Sequence, residues 1–219
     1  REVPGVATYD IGFDDRAAGE AFAYRPGQFN MLYLPGIGDA PISISGHDAT
    51  AGTVAHTVRA AGNTTRALEQ LGEGGSLGLR GPFGAAWPLE EAGGQDVVLV
   101  TGGIGLAPLR PVVLALLANR PRFGRLSLLY GARSPASMLY LAEFESWTNR
   151  GLNLFTTVDR SLPGWLGNVG VVTLLVDRLR PLVPEQTLMM VCGPEVMTRY
   201  VVRSALDRGL NETQIWLSL

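Results

Sequence analysis

The sequence holds a single cysteine, Cys192. That excludes a disulfide within these 219 residues and any iron–sulfur or zinc centre built from several cysteines of this chain. Histidine is almost as scarce. His47 and His56 stand on separate short segments without metal-ligand spacing, so both read as ordinary surface or core residues and no metal ligand is assigned. Charge is limited too: 17% of residues are charged and the net charge is −2, which leaves no basic field to hold nucleic acid. Internal repeats and low-complexity tracts are absent. No secretory leader is read, so the expected compartment is the cytoplasm. The chain opens on Arg1 rather than Met, which leaves an incomplete N-terminus as an expectation.

A long unbroken apolar run is also missing. The nearest approach is Val97–Leu117, VVLVTGGIGLAPLRPVVLALL, about the length of a bilayer span. Three glycines, two prolines and Arg110 interrupt it, so no transmembrane segment is expected. What the run does contain is a β-branched strand, Val97–Val100, the turn Thr101-Gly102-Gly103-Ile104-Gly105, and apolar residues at helical spacing: Leu109, Val112, Val113, Leu116, Leu117. Strand, glycine turn and helix together place bare backbone N–H groups and a helix N-terminus at one point, which attracts phosphate. Pro108 falls about where a first helical position belongs, and Pro111 within the first turn. The spacing is not GxGxxG, and a ligand-free strand–helix turn fits the same residues.

With 46% hydrophobic residues the chain has ample core for one large or two modest domains. Residues 1–92 read as all-β. Val6–Phe13 and Phe29–Leu34 alternate, Pro26-Gly27, Pro35-Gly36 and Gly38-Asp39 are turns, and further strands fit Ile42–Ser45, Val54–Ala60 and Ser76–Arg80. A short helix fits Thr64–Leu71, capped by Asn63 or Thr64. Many short strands with such turns predict a small β-barrel or sandwich. Leu89–Gln95 reads as a linker. From residue 95 to 219 strands (Val97–Val100, Leu126–Tyr130, Leu152–Val158, Leu188–Cys192) alternate with helices (Pro108–Asn119, Tyr140–Asn149, Val172–Arg180, Pro194–Arg208). That alternation predicts an α/β doubly wound parallel sheet, with ligands at the carboxyl ends of its strands.

In order along the chain stand Arg25-Pro26-Gly27-Gln28-Phe29, Pro41-Ile42-Ser43-Ile44-Ser45, Gly62 to Leu68, Arg80-Gly81-Pro82-Phe83-Gly84, Gly102 to Pro108, Tyr130-Gly131-Ala132-Arg133 and Cys192-Gly193-Pro194. These motifs resemble the ferredoxin-reductase-like flavoprotein family over nearly the whole chain. In that family a flavin-binding β-barrel precedes a nicotinamide-nucleotide domain. Within it the wording GQFNMLY, PISISG and HTVRAAG looks most like the γ subunits of cytoplasmic nickel–iron hydrogenases and sulfhydrogenases. The electron-transfer subunit of dihydroorotate dehydrogenase is a near relative.

The resemblance implies FAD and NAD(P) as cofactors. Nicotinamide would stack on the flavin and exchange a hydride, and iron–sulfur and catalytic subunits of a multisubunit redox complex would be partners. Pro41, Ile42, Ser43 and Ile44 match the strand along the flavin ring, with Ser43 near N5. Gly62, Thr64 and Thr65 match the helix start that meets the FAD pyrophosphate. Gly102, Gly103, Ile104, Gly105 and Pro108 match the nucleotide turn. Arg133 matches a contact to the adenosine ribose or its phosphate; it favours NADP while Asp159 repels a 2′-phosphate, a balance set slightly toward NAD. Cys192, Gly193 and Pro194 match the segment beside the nicotinamide. Ser43 and Cys192 are therefore expected to position the reacting groups, although Cys192 equally suits a small buried hydrophobe.

The resemblance departs in two places. Many members carry an arginine on the flavin phosphates just before the proline–serine strand, and a tyrosine stacked on the ring. Here these positions are Ala40 and Ile42, with Arg59 and Arg66 as candidate replacements or plain surface residues. In the γ subunits a strand like Ile215–Leu219 leads into a cysteine cluster that holds a 2Fe–2S centre. No ligands for it lie in this chain. The alternatives are a dihydroorotate or other dehydrogenase subunit, a freestanding reductase, or a scaffold that has lost the flavin.

Overall fold

The computed structural model describes residues 2–218 and divides into two compact units, one up to Ala86 and one from Trp87 onward. The division falls ahead of the 89–95 linker read from composition. Trp87 and Ala92 are both buried, and the Ala92 N–H donates to the Pro88 carbonyl, which makes this segment a folded turn.

The first unit runs β1 (Val6–Gly12), α1 (Arg16–Ala21), β2 (Phe29–Leu34), β3 (Gly38–Ser43), β4 (Gly46–Asp48), β5 (Thr53–Arg59), α2 (Asn63–Leu71) and β6 (Gly78–Phe83). Its strands form two antiparallel three-stranded sheets, ordered β1-β5-β4 and β3-β2-β6. The period-2 pattern of β2 sets the inside. Asn30, Leu32 and Leu34 are buried, and Leu32, Leu34, Val58 and Leu68 form the core cluster. The expected strand at Ile42–Ser45 ends instead at Ser43. There the chain leaves one sheet for the other: the Ile44 N–H donates to the Gln28 carbonyl and the Ser45 N–H to the Ala55 carbonyl. The strand expected at Ser76–Arg80 starts two residues later, at Gly78, and runs on to Phe83. The helix α1, held by an Asp15 cap on the Ala17 N–H, has no counterpart in the sequence reading.

The second unit runs β7 (Asp96–Gly102), α3 (Leu106–Ala118), β8 (Leu126–Ala132), α4 (Phe144–Asn149), β9 (Leu152–Val158), β10 (Asn168–Val169), α5 (Thr173–Arg178), β11 (Thr187–Cys192), α6 (Glu195–Asp207) and β12 (Ile215–Ser218). All six strands are parallel, in the order β10-β9-β8-β7-β11-β12. Val98, Val100, Leu129, Met189 and Val191 pack against α5 and α6 on one face. β7, β8 and β11 are buried almost throughout, as expected of parallel strands covered on both faces.

Several boundaries differ for identifiable reasons. α3 begins at Leu106, so Pro108 is its third residue rather than its first, and Pro111 lies beyond the first turn, depriving the Ala107 carbonyl of an intrahelical donor. Tyr140, with φ 55°, breaks the helix expected over 140–149 into a 3₁₀ turn, Leu141–Glu143, and α4. The helix expected over 172–180 stops at Arg178, because the residues ahead of Pro181 turn extended. The Arg208 guanidinium covers its last turn, donating to the carbonyls of Val176 and Leu179. Among the described residues no helix is long and apolar enough to cross a membrane, and no group of three or more His, Cys, Asp or Glu side chains could hold a metal ion.

Candidate functional site

In the second unit the chain starts the sheet at β7, adds β8, β9 and β10 on one side of it, and then returns after α5 to place β11 on its other side. The carboxyl ends of β7 and β11 therefore flank the point where strand order reverses, the place where open parallel sheets bind ligands. The structure brings together there two segments far apart in sequence, Thr101–Pro108 and Cys192–Pro194, with Thr101 and Cys192 in register.

The glycines at this point are closely packed within the chain, Gly105 against backbone and Gly102 and Gly193 against the flexible end of Met197. A Cβ on Gly102 would stand 2.7 Å from Met197 Sδ and 3.5 Å from Pro194 Cδ. One on Gly193 would stand 2.5 Å from Met197 Cε and 3.2 Å from the Gly102 nitrogen. One on Gly105 would run into the Cys192 carbonyl oxygen and stand 2.8 Å from Thr101 Oγ1. Gly103 turns the chain with φ 57°. Met197, which the sequence reading missed, lies against both Gly102 and Gly193; its signal is its place one turn after Pro194.

One polar atom at the switch is left over. Thr101 is fully buried and its Oγ1 has no hydrogen-bond partner among the described residues. An orphaned buried hydroxyl costs about 1–3 kcal/mol, so one beside a helix N-terminus marks a place that fits a polar ligand. Cys192 is 8% exposed, and burial pushes its thiol up to about 11, against a smaller downward pull from a Ser218 hydrogen bond. It is a thiol, not a thiolate, at neutral pH. That removes any nucleophilic role and suits a small apolar neighbour.

Arg133 and Asp159 lie side by side at the ends of β8 and β9. The Asp159 N–H donates to the Ala132 carbonyl (2.9 Å) and the Arg160 N–H to the Arg133 carbonyl (3.0 Å). All three side chains are exposed, so Arg160 adds a second cation beside Arg133.

In the first unit α2 docks on the start of β3, where Thr64 Oγ1 stands 3.5 Å from the Asp39 carbonyl. The helix cap is Gly62, not Asn63 or Thr64. Gly62 has no side chain to offer, so Thr65 reaches back: its Oγ1 accepts from the N–H groups of Ala61 (3.0 Å) and Gly62 (2.9 Å) and donates to the Gly62 carbonyl (3.1 Å). The Thr65 hydroxyl is thereby used within the cap, and the Thr64 hydroxyl is the freer of the two.

Along β3, Pro41 and Ser43 face outward with their partners Met31 and Phe29, while Ala40 and Ile42 face inward. Ile42 packs against the Leu32–Leu34–Val58–Leu68 cluster, and Ile44 is fully buried, so both side chains belong to the interior of this unit. Beneath this corner His56 is fully buried. Its Nδ1 stands 3.0 Å from the Ser43 carbonyl and its Nε2 3.1 Å from Asn30 Nδ2. Desolvation pulls its pKa down to about 4, outweighing the upward pull of hydrogen bonds to the Ser43 and Ile42 backbone, so the ring is neutral at pH 7. His47 rests against the rings of both Phe22 and Tyr24, which also meet each other. Arg59 and Arg66 are exposed.

Comparison with known proteins agrees with this geometry. Residues 99–203 match the oxidoreductase NAD-binding domain family. Over 211 residues the chain is 30% identical to sulfhydrogenase 1 subunit gamma of Pyrococcus furiosus, covering 94% of this chain and 72% of that protein. It is 29% identical to a probable dihydroorotate dehydrogenase B (NAD(+)) electron transfer subunit of Methanocaldococcus jannaschii, covering 95% and 71%. Among solved structures, an NADH-dependent reduced ferredoxin-NADP oxidoreductase superposes with TM-score 0.79 at 26% identity, over 100% of this chain and 73% of that one. With an antiparallel barrel-like unit followed along the chain by a six-stranded parallel sheet, and this identity along almost all its length, the chain belongs to the ferredoxin-reductase-like family of FAD- and NAD(P)-binding oxidoreductases that includes the sulfhydrogenase gamma subunits.

Proposed function

We propose that this chain is the electron-transfer flavoprotein subunit of a multisubunit redox complex of the hydrogenase type, located in the cytoplasm and linking NAD(P)H to an iron–sulfur partner. A bound FAD would supply the exchange between a two-electron hydride from NAD(P)H and single electrons for that partner. The observation that carries the reading is the strand-order switch of the second unit, where a helix N-terminus, an orphaned buried hydroxyl and an uncharged thiol meet.

Each residue then has a task its surroundings support. Gly103, Ile104 and Gly105, ahead of α3 with Pro108 in its first turn, would present backbone N–H groups and the positive end of the helix to a dinucleotide pyrophosphate. Arg133 and Arg160 against Asp159 would meet the adenosine ribose. Two cations around one carboxylate leave room for NADP as well as NAD. Gly102, Cys192, Gly193 and Pro194 would form a small, water-poor wall beside the nicotinamide, with Thr101 as its hydrogen-bond donor. In the first unit, Gly62, Thr64 and the leading N–H groups of α2, with Thr65 fixing their geometry, would hold the FAD pyrophosphate, and Pro41–Ile44 would support the ring. No group need accept a proton in a direct hydride transfer. The low pKa of His56 and the high pKa of Cys192 keep both neutral there.

The dihydroorotate-type relatives match at nearly the same identity, so the same module serving another dehydrogenase is the second reading. Two experiments decide. The purified chain should take up one FAD per molecule in equilibrium dialysis; a chain that takes up none leaves only a scaffold. Affinity capture from its native host should then recover hydrogenase-type subunits; recovery of a dihydroorotate-oxidising subunit establishes the second reading.

A further inference from the structure

Residues 43–45 are the corner at which the chain leaves the β3-β2-β6 sheet and joins β5. A corner of this kind interrupts the backbone ladder, and its freed polar groups need other partners. Two adjacent residues of β5, buried on both faces of the strand, provide them. On one face Thr57 Oγ1 donates to Ser45 Oγ at 2.9 Å and stands 2.9 Å from Thr8 Oγ1. On the other face His56 reaches across to the second sheet, to the Ser43 carbonyl and to Asn30 of β2.

The chemistry of the pair fixes its hydrogens. The Ser43 carbonyl can only accept, so Nδ1 carries the proton, and Nε2 must then accept from the Asn30 amide. The reverse tautomer would set a ring lone pair against the carbonyl oxygen. Asn30 holds this orientation although its Oδ1, lying against Gly81, is left without a partner. An amide that leaves its oxygen unsatisfied to serve the imidazole indicates that the His56 contact dominates the local balance.

The consequence concerns the Ser43–Ile44 peptide. Its carbonyl accepts from His56 and its N–H donates to the Gln28 carbonyl, so both polar groups of this peptide are engaged within the protein. The Ser43 hydroxyl, on the outward face and without a protein partner among the described residues, is what the corner presents. Resting on the flavoprotein reading above, we infer that His56 is a positioning residue for the flavin. Through the Nδ1–H bond to the Ser43 carbonyl, and with its tautomer locked by Asn30, it holds the Ser43 hydroxyl toward the isoalloxazine ring.

The test compares wild type with His56→Leu, His56→Gln and Asn30→Ala, reading the FAD dissociation constant, the absorption spectrum and midpoint potential of the bound flavin, and thermal unfolding. His56→Leu should weaken FAD about tenfold, as expected for one lost hydrogen bond that leaves a buried carbonyl unpaired, and should shift the flavin spectrum and potential. His56→Gln, whose amide can donate to Ser43, should restore all three to near wild type. Should His56→Leu fail to fold, Asn30→Ala decides, since it keeps the Nδ1–H bond to the Ser43 carbonyl and removes the amide that holds the ring from its Nε2 side; a smaller loss, about threefold, and a spectral shift in the same direction are expected. A folded His56→Leu, or in its absence an Asn30→Ala, with wild-type affinity, spectrum and potential would show that His56 only packs. A wild-type chain that takes up no FAD overturns the flavin reading itself, whereas unchanged variants of a flavin-binding wild type overturn this inference alone.

Discussion

Gly105→Ala isolates the tightest requirement at the strand-order switch. Gly105 has φ −60° and ψ −11°, ordinary right-handed backbone that alanine adopts freely, so any cost is steric and not conformational. The added Cβ would meet the Cys192 carbonyl oxygen, with the Cys192 carbonyl carbon and Thr101 Oγ1 both at 2.8 Å. Two of those atoms belong to the backbone of β11, which is paired with β7 on one side and β12 on the other and cannot move aside cheaply. Overpacking of this kind costs about 1–3 kcal/mol. For a chain of this size each kcal/mol lowers Tm by about 2–4 °C. The same displacement of the α3 start should weaken a nicotinamide nucleotide about tenfold. Calorimetry of the second unit's transition and equilibrium binding of NADH read the two effects. Gly12→Ala serves as the control, because nothing lies within 4 Å of its would-be Cβ. A Gly105→Ala protein with the Tm and NADH affinity of the control would refute the argument.

Other perturbations have equally definite outcomes. His56 is neutral when folded, with a pKa of about 4, and takes up a proton at about 6.5 when unfolded, so between those values the unfolded chain binds more protons. Its contribution is complete above pH 6.5 and is lost as pH falls toward 4, by about 3 kcal/mol in all; urea unfolding at pH 7 and pH 4.5 should show that slope in wild type and a reduced slope in His56→Gln. Thr65→Val removes the hydroxyl that serves two N–H groups and one carbonyl at the α2 cap, and should cost about 1 kcal/mol in the urea transition of the first unit. Cys192, buried with its thiol near 11, should resist a disulfide reagent at pH 8 for as long as the chain is folded and react at once in denaturant.

The parallel sheet was legible because β7, β8 and β11 are buried on both faces and so appear as short apolar runs between helical patterns. Ends were less legible, since they depend on contacts outside the segment. Proline at 108 marks a helix start only to within a turn, and the α3 start is set by Gly105 lying on Cys192. For the cap of α2 the sequence points to Asn63 or Thr64, because those side chains can cap. The chain instead uses a side-chain-free Gly62 with Thr65 reaching back. α1 and the two-residue β10 carry too few apolar positions to show a period. At the site, the glycine turn and the Cys192-Gly193-Pro194 segment were visible as separate motifs, but Met197 binding them together was not. His56 read as an ordinary residue because a lone histidine in an apolar strand shows nothing of the carbonyl and amide brought to it from β3 and β2.

The most direct test of the account is an anaerobic visible spectrum of the FAD-loaded chain before and after addition of NADH and, separately, NADPH. The account predicts flavin bands that bleach on addition of a reduced nicotinamide nucleotide, with NADH at least as effective as NADPH. Flavin bands that neither nucleotide changes would contradict it.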